Sequence, residues 1–189
     1  ETALILETEI GKLLSPGILN WLSGDVFTRQ WYTYAYGHGS GLKLHVDNRF
    51  DKIYDYWKCK GDFGSCMTGR NRDEFYAYSV NAKAAYITDE HDYIVARAIL
   101  FTDVTDQHGK KWRLLERQYA SNKDDTLKRL LIDKLIHGKY IDGYKVIGAS
   151  CSDADAFVDI SGNSLKNKKF EIDCRLDIRD TLSYQDSFK

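Results

Sequence analysis

Residues 93–104, YIVARAILFTDV, decide the fold. The run is apolar nearly throughout and rich in Val and Ile, the pattern of a strand buried on both faces. Polar turns bound it, Asp89–Asp92 before and Asp106–Gly109 after. Beyond the first turn lies a short apolar run, Lys83–Thr88. Beyond the second lies Trp112–Ala120 (WRLLERQYA), which mixes apolar and charged positions. Strands joined by such short turns pair as antiparallel neighbours.

A helix follows. Ser121 or Asn122 is placed to cap it, with Asp124 and Asp125 in the first turn facing the positive end of the helix dipole. Leu127, Leu130, Leu131 and Leu135 then recur at i, i+3, i+4 and i+8, the stripe of an amphipathic helix. His137 in the last turn and Gly138 just beyond are stop signals. Tyr144–Ala149 (YKVIGA) returns as a strand. The reading predicts an α+β protein: a central, mostly antiparallel sheet with helices, including 122–138, on at least one face. Leu127, Leu131, Leu135, Ile94, Ala96, Leu100 and Val146 are its expected core.

Outward from this block the signals thin. Residues 3–14 read as helix, and Ser15-Pro16 starts a second helix that Gly24 ends. Val26–Tyr36, aromatic and β-branched, reads as a strand. It forms a hairpin with Leu42–Asp47 across the glycine-rich turn 37–41. Phe50–Trp57 reads as a short helix. Residues 58–73 are the longest irregular stretch, a place where function concentrates. Phe170–Leu176 reads as a last strand. The organisation is one domain over 1–189, with a helical segment at 1–24, an α+β core at 26–160 and a C-terminal segment at 161–189. Glu1 implies a preceding segment, and the ending SYQDSFK implies truncation.

Lys and Arg number 27 against 28 Asp and Glu, so no basic field argues for nucleic acid. No apolar run reaches the ~18 residues of a membrane span. Cys59, Cys66, Cys151 and Cys174 are too few and too scattered for a disulfide framework, and read as reduced thiols of a cytoplasmic protein.

Cys66 in FGSCMTGR is the sharpest candidate nucleophile. Gly64, Ser65 and Cys66 resemble the nucleophile segment of papain-like cysteine proteases, where a thiolate at a helix start attacks a carbonyl. The competing reading is a small apolar residue packed in a loop. His38, His45, Cys59 and Cys66 offer four zinc-ligand types, but the pairs are too widely spaced for one tight turn to present both ligands, and no metal is assigned. Arg97 shares a strand face with Val95, Ile99 and Phe101. An unpaired buried charge is costly, so Arg97 is expected to pair with Glu116 on the adjoining strand. The alternative is that Arg97, with Arg117 and Gln118, lines a pocket for an anionic ligand. Arg70 and Arg72, after Gly69, belong to an anion-binding loop or to a solvated turn.

The order of elements over 83–160 resembles the core of GNAT-type acetyltransferases, which implies an acyltransferase. The segment before the helix, ASNKDDTLKR, departs from that family's glycine-bearing pyrophosphate loop. Over most of the chain, the phrases HGSGLKLH, GSCMTGRNR, IVARAILF, ERQYAS, IDGYKVIGA and SYQDSFK resemble uncharacterised proteins of gut bacteria and their phages or mobile elements. That second resemblance implies a non-catalytic accessory protein that binds a host or element protein and needs no cofactor. The alternative class is an enzyme, either GNAT-like or built on Cys66.

Overall fold

The computed structural model describes residues 12–25, 27, 31, 41–65, 67–69 and 80–172. The chain divides into two compact units, 1–41 and 42–189.

In the first unit, helix α1 (Pro16–Leu22) begins as its sequence dictates: Ser15 is extended, its hydroxyl accepts from the Ile18 amide, and proline occupies the first turn. Phe27 and Trp31, inside the expected strand 26–36, are helical instead. Their spacing of four stacks the two rings on one helical face, with centroids 6.3 Å apart, and Trp21 closes on Phe27 at 4.6 Å. The aromatic content that suggested a strand serves a helix face here. The rest of that expected strand lies outside the described residues.

The second unit is an α+β fold built on an eight-stranded, mostly antiparallel sheet. Its strands are β1 (Lys43–Asp47), β2 (Ala82–Thr88), β3 (Ile94–Asp106), β4 (Lys111–Leu115), β5 (Tyr119–Ala120), β6 (Gly143–Lys145), β7 (Phe157–Asp159) and β8 (Phe170–Ile172). The order is β1-β2-β3-β4-β6-β7, with β5 and β8 also on β3. Among the described residues, helices α2 (Phe50–Tyr54) and α3 (Asp125–His137) accompany the sheet.

β3 is the axis. Its 13 residues are flanked on one edge by β2 and then β8, and on the other by β5 and then β4. Being paired on both edges and covered on both faces explains its near-continuous apolar sequence. The crossover from β4 through α3 to β6 makes a parallel pair, Leu114↔Gly143 and Leu115↔Tyr144. A Cβ at Gly143 would lie 2.7 Å from the Val158 carbonyl oxygen, so only glycine lets β6 fit between its neighbours.

The two faces carry different layers. On one, α2 and residues 58–69 cover Ala84, Tyr86, Ile99, Phe101 and Leu114. On the other, α3 packs across β2, β3 and β5, with Leu130, Leu131 and Leu135 fully buried and Leu127 partly so. The cap of α3 is Asp124, whose carboxylate accepts from the Thr126 amide at 2.7 Å; Ser121–Lys123 form a separate 3-10 turn. Ile94 is buried as expected, but a register shift between Ile87 and Thr88 puts it with the α2 layer. Val146 is 43% exposed, because β6 ends at Lys145, before reaching it.

Candidate functional site

Four strands place four side chains in one row. The pairings His45↔Tyr86, Tyr86↔Arg97 and Arg97↔Tyr119 run from β1 through β2 and β3 to β5. Directly opposed residues share a face, so these side chains lie side by side under the α2 layer. The His45 ring stacks on Tyr86, with centroids 4.7 Å apart and planes 12° off parallel. His45 Nε2 is 2.9 Å from Thr88 Oγ1; burial, and then the Lys52 ammonium, push its imidazole below its ordinary value. The Tyr86 hydroxyl donates to Asp47 at 2.9 Å, and burial with that bond pushes its phenol up.

Arg97 is the centre of the row and only 2% exposed. Its guanidinium carbon lies 4.9 Å from the Tyr54 ring centroid, 5.3 Å from Phe63 and 5.5 Å from Tyr119. Those π-faces supply partial negative charge without a carboxylate. Nη2 donates to Thr68 Oγ1 at 2.6 Å, while Nε is buried with no partner. Thr68 arrives on the irregular stretch after α2. That stretch is tied to the start of β3 by Lys60 N to Ile94 O (2.9 Å) and Ile94 N to Lys58 O (2.7 Å). It is tied back to α2 by Gly69 N to Tyr54 O (2.8 Å), where Gly69 has a positive φ of 74°.

The expected Arg97–Glu116 ion pair does not form. Glu116 Oε1 lies 2.7 Å from Lys145 Nζ and accepts the Arg117 amide at 2.9 Å; Glu116 Oε2 is buried without a partner. Strand register is the reason. Glu116 follows Leu115, the residue paired with Tyr144, so the next position along parallel β6 is Lys145. Lys145 is fully buried, donates to the Cys151 carbonyl at 2.7 Å, and lies 5.5 Å from the Phe157 ring. Gln118 is buried and structural in its contacts: its amide donates to the carbonyls of Glu116 and Lys145, bridging the interruption between β4 and β5 to β6.

Arg97, Glu116 and Arg117 do meet in one place. They line a small pocket, partly open to solvent, whose other walls include Ile53, Met67 and Phe101. The Arg117 guanidinium carbon lies 5.2 Å from the same Tyr119 ring. Neither arginine has an acidic partner among the described residues. With Glu116 matched by Lys145, the pocket holds two positive charges that no acidic side chain among the described residues matches, against largely apolar walls. That arrangement suits an anion.

Cys66, Arg70 and Arg72 lie outside the described residues, as does His38. None of the described histidines lines the pocket. Of the four zinc-ligand types, His45 and Cys59 are described: His45 contacts Thr88, and Cys59 is buried with its thiol toward the Ile53 carbonyl at 3.6 Å. Burial pushes that thiol's pKa up. Sequence reasoning missed Thr68, Tyr54, Tyr119 and Lys145. Only the high aromatic content hinted at rings around a cation.

No protein-family model matches the chain, and neither a curated protein nor a solved structure does. No helix among the described residues is long and apolar enough to cross a membrane.

Proposed function

We propose that this chain is a non-catalytic binding protein whose recognition element is the Arg97 pocket. One observation carries the reading: a guanidinium 2% exposed, with no acidic partner among the described residues, on the wall of an open pocket. A buried charge without a counter-charge is destabilising, and such sites are retained where binding uses them. The context we assign is a phage or mobile-element accessory protein acting on a host or element protein in the cytoplasm. The sequence phrases support that origin, and the buried thiol of Cys59 fits a reducing compartment.

An acyltransferase reading has less support. It needs open amides at the start of α3 for a pyrophosphate, and there Asp124 already takes the Thr126 amide while Asp125 adds a second negative charge. A Cys66 nucleophile is tested directly. Rapid labelling of the native protein by iodoacetamide at about pH 6, well below the ~8.5 of a free thiol, would replace the binding reading with an enzymatic one.

The binding reading is tested by affinity capture from a gut-bacterial lysate, comparing the native sequence with Ser65→Trp. Ser65 is a half-buried wall residue, so an indole there fills the pocket mouth without cutting into the sheet. Circular dichroism verifies that the variant is folded. A partner held by the native chain and lost by folded Ser65→Trp is the expected result. The same partners on both would remove the pocket from recognition.

A further inference from the structure

Resting on the binding reading above, we infer that the Arg97 pocket takes a carboxylate carried on an apolar body. Three observations on its walls converge. The guanidinium groups of Arg97 and Arg117 lie 5.5 and 5.2 Å from the one Tyr119 ring, so two fork-shaped donors flank a single wall. Neither has an acidic partner among the described residues, although Arg97 is almost wholly removed from water. Such forks match the planar two-oxygen geometry of a carboxylate. The remaining surface, including Ile53, Met67, Ile99 and Phe101, is apolar and suits the hydrocarbon to which the carboxylate is attached.

The third observation separates a carboxylate from a phosphate. Glu116 lines the same pocket, and its Oε2 is buried without a partner. A planar carboxylate spends both oxygens on the two guanidinium groups, whereas the further oxygens of a phosphate would meet apolar wall or the unpartnered Glu116 Oε2, so a carboxylate is favoured over a phosphate. The carboxylate has two possible sources, a protein partner's C-terminus or acidic side chain, and a free organic acid.

The probe is 3-phenylpropionate, compared with its neutral amide 3-phenylpropionamide and with inorganic phosphate, by isothermal titration calorimetry on the full chain. Expected is saturable binding of the acid, with the amide weaker by roughly tenfold or more and phosphate weaker still. Arg97→Met should abolish the difference between acid and amide. Arg117→Met, at a partly exposed position, should weaken the acid by roughly tenfold. Equal binding of acid and amide, phosphate binding as tight as the acid, or no binding of the acid at millimolar concentration would each overturn the carboxylate assignment. If capture nonetheless depends on Ser65, the recognition pocket stands and only its ligand class is wrong. If the acid binds but capture ignores Ser65, the ligand class stands and the protein-partner reading fails. Elution of a captured protein by 3-phenylpropionate assigns the carboxylate to that protein; binding without elution assigns it to a free acid.

Discussion

Lys145 Nζ lies 2.7 Å from Glu116 Oε1, with the lysine fully buried and the glutamate side chain 13% exposed. The pair joins β6 to the residue just after β4, and it leaves Glu116 engaged with Lys145 and not with Arg97. Its energetic character follows from its burial. Two charges removed from water gain little net stability together, but either one left alone is costly.

Glu116→Leu and Lys145→Met should therefore each destabilise the fold by roughly 3–5 kcal/mol, while the double replacement should recover much of that loss. Urea denaturation of the four proteins measures it. Additive losses would mean that the two side chains act independently.

Arg97 should behave in the opposite way. Its desolvation is offset only by the three rings and Thr68, so Arg97→Met should leave unliganded stability within about 1 kcal/mol or raise it. A loss beyond about 3 kcal/mol in urea melts would show that the arginine is a structural element.

Leu131 is fully buried between α3 and the sheet. Leu131→Ala should cost roughly 2–5 kcal/mol through lost contacts and a residual cavity. Thermal denaturation followed by circular dichroism gives the value, and a near-neutral result would contradict the helix-on-sheet packing.

How much of this was legible is clearest at these positions. The stripe that buries Leu131 is a periodic signal, and so is the apolar run of β3, because both report which faces meet the core. The partner of Arg97 is not periodic. Glu116 was a reasonable guess from adjacent strands, but Lys145 enters through a parallel crossover, and nothing in YKVIGA marks its lysine as buried. Thr68 arrives from an irregular stretch that carries no pattern. Val146 was misread because an apolar run does not reveal where pairing stops. Phe27 and Trp31 were misread because aromatic residues spaced by four suit a helix face as well as a strand.

Acid sensitivity should trace to Asp106. Its carboxylate is 2.9 Å from Lys168 Nζ and accepts Trp112 Nε1 and the amides of Lys110 and His108, which hold it well below the usual carboxylate range. A lowered folded-state pKa contributes stability that is present above the unfolded value of about 4 and is lost as pH falls below it. Urea midpoints measured from roughly pH 6 down to 2 should decline below about pH 4, and Asp106→Asn should flatten that decline. An unchanged slope in the variant would move the acid sensitivity elsewhere.

The two-sided role of β3 also sets an order in time. β2, β3 and β4 are joined by short turns and can zip together while the chain is still being synthesised, but Val104, Thr105 and Asp106 wait for Ile172, Glu171 and Phe170 to close their second edge. Until translation reaches that strand, the emerging chain exposes an unpaired ladder next to apolar Trp112.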